Sequence, residues 1–415
     1  MGYRLWRKGF QRDAGMRVVI VGAGQAGAAL AARLRALGHA GEIVMLGDEP
    51  APPYQRPPLS KAYLLGEMEE DRLWLRSPEF WAENNVTLRL GQAVTDLDLV
   101  AKTVTVGGEA LEYDQLALTT GSSPRRLSPA LGGALERVFA VRTLADVDAM
   151  RAEFQPGRRV IIVGGGYIGL EAAAVAAKLG LNVTVLEMAP RILQRVAAPE
   201  TSAHVRALHQ SHGVTVLEET GLDRLEGDDR VTGAILRDGR VLPADFVIVG
   251  VGITPNTHLA ENAGLAIDNG IATDAYGRTS DPAVWAAGDC ASFPHGGGRL
   301  RLESVGNAID MAEAVAANIL GAGQPYEAKP WFWSDQFDLK LQIAGLNTGY
   351  DRIVTRKGEG DAVSFWYYQG DRLLAVDAMN DSRAYMVGKR LIEAGKSPTA
   401  EAVTSTPDLK ALLKA

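Results

Sequence analysis

The chain of 415 residues has a single cysteine, Cys290. One thiol makes no intrachain disulfide and no redox-active cysteine pair, which excludes disulfide-reductase chemistry. It also fits a reducing cytoplasm. Long apolar runs are missing as well. No stretch approaches the ~20 residues that a bilayer requires, so no membrane contact is expected. Positive charge is in deficit, with 43 Lys and Arg against 50 Asp and Glu and a formal net charge of -7. That balance argues against a nucleic-acid partner. Six histidines fall in no catalytic or metal-binding pattern, and each reads as structural or exposed. Residues 1–15 hold Arg4, Arg7, Lys8 and Arg12 against Asp13, without the apolar core of a secretory signal. They read as a basic anchor or a disordered extension ahead of a fold that begins at Met16.

What is present begins at Val18-Val19-Ile20-Val21, an apolar run that reads as a buried parallel strand. It leads into Gly22, Gly24 and Gly27 in the spacing Gly-x-Gly-x-x-Gly, with Ala26 inside, and then a helix over Ala28–Leu37. The first glycine allows a tight turn. The second lets backbone N–H groups approach a pyrophosphate, and the third lets helix and strand pack closely. A second strand, Ile43–Gly47, ends at Asp48, 26 residues after Gly22. A carboxylate there can hold an adenosine ribose.

The unit then recurs. Val160–Val163 is a strand, Gly164, Gly166 and Gly169 fill the three positions, and Leu170–Leu179 is a helix. Val183–Leu186 ends at Glu187, 23 residues after Gly164. A structural relic would not keep every part, so two nucleotides that exchange something are expected.

Between the copies, Pro50 to Lys61 is a stiff proline-rich segment that ends in Leu59-Ser60-Lys61 and is expected to start a helix. Lys61 reads either as a charge held near a reactive ring or as a solvated lysine. Val86–Val94 and Thr103–Val106 alternate like strands, and Tyr113–Thr119 leads to Thr120-Gly121, with backbone groups near a cofactor. Arg142 reads as a surface residue or as one that reaches back to that cofactor. Gly250 to Asn256 is a glycine-rich turn that includes Gly252. Val284 to Ala287 runs into Gly288-Asp289, which suits a polyol hydroxyl and a phosphate, and a helix is expected over Ala308–Leu320. From Pro330 an aromatic-dense segment, Trp331-Phe332-Trp333-Ser334-Asp335-Gln336-Phe337, opens a small α+β region.

Together, the first glycine motif, Arg56-Pro57-Pro58-Leu59-Ser60-Lys61, Gly164 to Glu171, Ala287-Gly288-Asp289-Cys290 and Pro330 to Gln336 resemble the oxygenase-coupled ferredoxin reductases. The resemblance spans about 16–415. It implies an α/β glutathione-reductase-like flavoprotein with two Rossmann-like dinucleotide-binding domains and a small C-terminal α+β domain. FAD binding falls to 16–121 and 257–325, NAD binding to 122–256, and a partner interface to 326–415. Implied FAD contacts are Ala26, Asp48, Lys61, Val94, Arg142, Asp289 and Val305. Implied NADH contacts are Gly165, Ile168, Glu187 and Gly252. Glu171 and Glu303 match family acids that flank the nicotinamide, Lys61 and Glu171 form an ion pair beside the flavin, and Trp331 and Trp333 sit next to it. Gly306 departs from relatives with a larger residue there. No resident metal is implied.

The implied activity is NADH-dependent reduction, through FAD, of a [2Fe-2S] ferredoxin that serves a cytochrome P450 or a ring-hydroxylating dioxygenase. The enzyme would be a cytoplasmic monomer or weak dimer. The rivals on the same fold are an NADH oxidase, which usually needs a reactive cysteine, and a redox-sensing protein similar to apoptosis-inducing factor.

Overall fold

The structure, a computed structural model, describes residues 15–414. The basic extension therefore lies outside the described residues except for Gly15. The chain divides into two compact units. One comprises 15–55, 70–123 and 254–329, and the other 56–69, 124–253 and 330–414.

In the first unit five parallel strands stand in the order Val284–Ala286, Gln115–Leu118, Val18–Val21, Ile43–Leu46, Val86–Arg89. Val18–Val21 lies in the middle and is buried throughout, as a parallel strand covered on both faces should be. The helix Gln25–Ala36 follows it and packs against the helix Val305–Ile319. The expected strand Val86–Val94 is two strands, Val86–Arg89 and Val94–Asp98, divided at Gly91, whose φ of +72° turns the chain. The second belongs to an antiparallel meander with Thr103–Val106 and Glu109–Glu112.

The second unit repeats the plan. Its parallel strands run Thr215–Leu217, Asn182–Leu186, Arg159–Val163, Phe246–Val249, Val138–Phe139. The helix Tyr167–Lys178 follows the central strand. This unit also holds 56–69, which begins with the end of the proline-rich segment and which the sequence reading kept with the first nucleotide fold. No α-helix starts at Leu59. Pro57–Ser60 forms one 3-10 turn that ends at Lys61, whose φ and ψ of -136° and -115° leave the helical region.

From Trp331 the chain forms an antiparallel sheet in the order Trp331–Gln336, Leu339–Gly345, Arg372–Met379, Val363–Gln369, Arg352–Lys357. The helix Ser382–Glu393 packs on it, capped by Asp381, whose side chain accepts from Ala384 N. Its apolar face supplies Ala384, Val387 and Leu391 to the core.

One buried polar cluster joins this sheet to the helix Pro199–Ser211. The Asp377 carboxylate accepts from the Tyr367 hydroxyl and, at 2.7 Å, from Thr201 Oγ1. Tyr367 Oη accepts in turn from Ala198 N at 3.2 Å. Burial pushes the Asp377 carboxyl up to about 6, against the pull of the two donors. The folded value lies above the unfolded one. Its contribution to stability is therefore full below pH ~4 and is lost as pH rises through the folded value. Asp377→Asn should thus gain on the natural chain by roughly 2 kcal/mol between about pH 4.5 and about pH 7. Thermal unfolding at the two pH values reads this. A difference in Tm that does not change with pH would refute it.

Candidate active site

Each unit carries a phosphate cradle built from the same backbone bonds. Gly22 N donates to Leu46 O at 2.8 Å, and Gly164 N to Leu186 O at 2.8 Å. Both glycines hold a positive φ, +116° and +109°. A Cβ on Gly22 would lie 2.2 Å from Thr119 O, and one on Gly164 would lie 2.4 Å from Gly250 O. The third glycines are closed just as tightly. A Cβ on Gly27 or Gly169 would meet the carbonyl of Gly22 or Gly164 at 2.1 or 2.3 Å. The middle glycines differ. Among the described residues nothing lies within 4 Å of a Cβ position on Gly24 or Gly166. Each is the N-cap of its helix, makes no side-chain cap and precedes a first turn without an acid. Open space, unopposed N–H groups and a positive dipole end fit a pyrophosphate in both units.

In the first unit several of the expected residues lie close to the cradle. Thr119, a residue that the sequence reading placed only as a strand end, locks it by donating Oγ1 to Gly22 O at 2.8 Å. Thr120 Oγ1 donates to Asn256 O, and Gly121 O accepts from Asn256 N. Gly288, at φ +82°, brings its turn against Ala26, 3.0 Å from a Cβ position. Asp289 accepts from Ser122 Oγ at 2.9 Å. The helix with Val305 at its start is capped by Ser304 and begins three residues earlier than expected, with Gly306 buried inside it. Glu303 ion-pairs with Arg301 at 2.7 Å, and Arg301 also donates to Asp289 O. Glu303 is thus fixed to the Gly288-Asp289 turn in the first unit, whereas Glu171 belongs to the second.

The strand-end acids are not equivalent. Leu46 pairs with Val21, and Leu186 with Val163. Glu187 therefore follows its strand directly, while Gly47 takes that place in the first unit and Asp48 comes one residue later. Asp48 is exposed and accepts from Glu49 N at 3.1 Å. Val94 stands two residues after Gln92, whose N donates to Gly47 O.

In the second unit Glu187 is held ready. Gly165 N and Ala189 N each donate to one of its oxygens at 2.8 Å. Ile168 and Val251 beside the cradle are 43% and 40% exposed, an unusual surface for large aliphatic side chains. Gly252, at φ +97°, accepts on its carbonyl from Arg125 N. Arg142, expected at the flavin, lies in this unit and accepts on its carbonyl from Arg56 at 2.6 Å.

The chemically loaded group is Glu171, on the helix Tyr167–Lys178 and 4% exposed. Its Oε2 accepts from Lys61 Nζ at 2.7 Å and from Ser60 Oγ at 2.6 Å. Its Oε1 accepts from Ser334 Oγ at 2.7 Å. The expected Lys61–Glu171 ion pair is present, and Lys61 also donates to Pro57 O at 3.2 Å. Ser60 and Ser334 were not singled out, although both lie in the segments that carry the family resemblance. Beyond Ser334 come Gln336 and His209, the latter pushed down to about 4 by burial. Trp331 and Trp333 share a face, as their spacing requires, and stack at 5.4 Å and 21°. Phe332 points the other way, onto the Tyr167 ring at 4.7 Å.

Residues 16–312 match the family model described as pyridine nucleotide-disulphide oxidoreductase. The chain belongs to that family. Residues 331–413 match a second model, the reductase C-terminal domain. The chain is 42% identical to putidaredoxin reductase from Pseudomonas putida, over 92% of each chain. It is 46% identical to a ferredoxin–NAD(P)(+) reductase from a Sphingomonas species, over 91% of this chain and 92% of that one. It also superposes on the reductase in the crystal structure of a covalent putidaredoxin reductase–putidaredoxin complex with a TM-score of 0.93. That match is at 40% identity and covers 96% of this chain and 98% of the other. The fold and family expected from the sequence are borne out. Cys290 is buried within the first unit, with Sγ against Leu118 O and Ala287 O.

Removing the Lys61 ammonium leaves a buried carboxylate with two hydroxyl donors and no counter-charge. Lys61→Ala should fold and bind flavin. It should slow reduction of the flavin by NADH at least tenfold, about 1.4 kcal/mol or more in the barrier. Stopped-flow absorbance measures the rate, and an unchanged rate would make Lys61 a bystander.

Proposed function

We propose that the chain is an NADH-dependent ferredoxin reductase, with FAD at the first cradle and NADH at the second. The observation that carries this reading is the pair of complete, open cradles, joined in one chain to a reductase C-terminal domain. Gly22, Gly24, Gly27, Asp289 and the start of the helix Val305–Ile319 would hold FAD. Bound FAD supplies the conversion that the reaction needs, because it takes two electrons together and releases them one at a time. Gly164, Gly166, Gly169 and Glu187 would hold NADH, and Glu171 with Lys61 would orient its nicotinamide. The acceptor is a [2Fe-2S] ferredoxin that serves a cytochrome P450 or a ring-hydroxylating dioxygenase, and the enzyme works in the cytoplasm as a monomer or weak dimer. Among the described residues no helix is long and apolar enough to cross a membrane. Purified protein given NADH should reduce such a ferredoxin many times faster than it consumes oxygen. Oxygen uptake that outruns ferredoxin reduction would favour an oxidase instead.

Glu187 sets the cofactor preference. With a backbone N–H on each oxygen, its carboxylate is aimed to accept from both ribose hydroxyls and to repel a 2′-phosphate. Arg191, the cation nearby in sequence, donates to Ser202 Oγ at 2.5 Å and to Gln194 O. NADH should therefore be preferred over NADPH, and Glu187→Ala should weaken NADH more than NADPH. Steady-state kcat/KM for both cofactors decides, and equal values in the natural protein would overturn the assignment.

The stacked Trp331 and Trp333 are assigned to the electron exit. From Tyr326 onward the chain carries 12 Lys and Arg against 12 Asp and Glu, and so repels an acidic ferredoxin less than the rest does. Trp331→Ala should lower the rate of ferredoxin reduction while ferricyanide reduction by NADH stays near normal. A parallel fall in both would place Trp331 in the flavin site or the core.

A further inference from the structure

A run of hydrogen bonds leads away from Glu171 into the interior of the second unit. Ser334 Oγ donates to Glu171 Oε1 at 2.7 Å. A serine hydroxyl has one proton, so towards its other neighbour it acts only as an acceptor. That neighbour is Gln336 Nε2, at 3.0 Å. The amide thus presents its nitrogen to Ser334 and its oxygen to His209 Nε2, 2.7 Å away. His209 must donate through Nε2. Its Nδ1 is buried without a hydrogen-bond partner among the described residues, as fits a ring nitrogen that carries no proton. The order of donors is then fixed: His209 to Gln336, Gln336 to Ser334, Ser334 to Glu171.

Ser334, Gln336 and His209 are 0%, 1% and 0% exposed. Phe337 meets the His209 ring edge-on at 5.1 Å and holds it in place. A flipped Gln336 would set its oxygen against the Ser334 lone pairs, and would force His209 into the tautomer whose Nδ1 proton has no acceptor among the described residues. A run of polar groups at this depth costs desolvation and is useful when its direction matters.

We propose that this one-way chain orients the Glu171 carboxylate for hydride transfer, with Gln336 and His209 as positioning residues. The proposal rests on the reading that Glu171 stands beside the nicotinamide of NADH bound at the second cradle. Lys61 and Ser60 hold one carboxylate oxygen. Among the described residues Ser334 alone is bonded to the other, so the chain behind Ser334 sets the rotation of the carboxylate plane. Without Gln336 the Ser334 hydroxyl keeps its bond to Glu171 but loses the donor that fixes Oγ from behind, and the plane is held less firmly at that end.

The test uses the full-length, FAD-loaded protein. Gln336→Met keeps the length and flexibility of the side chain and removes both polar atoms. Its limiting rate of flavin reduction at saturating NADH should fall about tenfold, while the Kd for NADH stays within about twofold. His209→Phe should behave likewise. His209→Gln, which can place a donor near the position of Nε2, should recover most of the loss. A readout without nucleotide accompanies the kinetics. The 15N shifts of the His209 ring should report a proton on Nε2 and none on Nδ1 in the natural protein, and a mixture of tautomers in Gln336→Met. An unchanged limiting rate in a folded Gln336→Met variant would overturn the proposal, as would a proton on Nδ1 in the natural protein. Equal losses in rate, NADH affinity and Tm across all three variants would reduce the chain to a structural role and also overturn it. If NADH does not reduce the flavin of the natural protein, the reading of the second cradle falls and takes the catalytic role with it. The His209 tautomer would still stand as measured.

Discussion

The carboxylate of Glu171 is the constraint on which the second unit turns. A charge buried this deeply is costly without a counter-charge and hydrogen-bond donors. The helix Tyr167–Lys178 supplies none of them. They come from Ser60 and Lys61, more than a hundred residues earlier, and from Ser334, more than a hundred and sixty residues later. Folding the second unit therefore requires three distant parts of the chain to meet at one side chain. This accounts for the grouping of 56–69 with the second nucleotide fold although it is encoded within the first. The prolines of that segment hold it stiff, and the 3-10 turn Pro57–Ser60 presents two consecutive side chains to one acceptor.

The two cradles show how one backbone design takes different chemistry. The turn glycine, the closing glycine and the open middle glycine are equivalent in both, down to the bond from the first glycine to the neighbouring strand. The difference lies one residue past that strand. Glu187 stands there in the second unit, tied to the cradle through Gly165 N. Gly47 stands there in the first, where a Cβ would come within 2.8 Å of Ala23 Cβ. The first cradle has no room for an acid at that point and places Asp48 on the exposed side instead. The other acid of this unit's site reading, Asp289, is held by Ser122.

Both glycine motifs, their strands and their helices were legible because each rests on local rules: apolar period, glycine spacing and helix stops. The Lys61–Glu171 ion pair was legible only through family resemblance, since nothing local joins residues 110 apart. Ser60 and Ser334 escaped for the same reason. A serine has no spacing signal, and its role appears only when the acceptor is known. The helix expected at Leu59 failed because the proline-rich run allows one turn and Lys61 then leaves helical angles. The expected single strand Val86–Val94 failed on Gly91, a glycine that could have been read as a break. His209 looked like one more structural histidine, and only its buried contact with Gln336 marks it out.

The strand Trp331–Gln336 serves two purposes through the simplest property of a strand. Successive side chains alternate between faces. Phe332, Ser334 and Gln336 fall on one face, where they meet Tyr167, Glu171 and His209. Trp331 and Trp333 fall on the other and stack on each other. The register with Leu339–Gly345 is continuous over all six pairs, without a bulge. A slip of one residue would turn the tryptophans onto the carboxylate and expose the serine and glutamine. Such a slip would strand the Glu171 charge without one of its three donors, so the ionic cluster itself selects the register. The same buried charge that gathers Ser60, Lys61 and Ser334 thereby also fixes which way the aromatic pair faces.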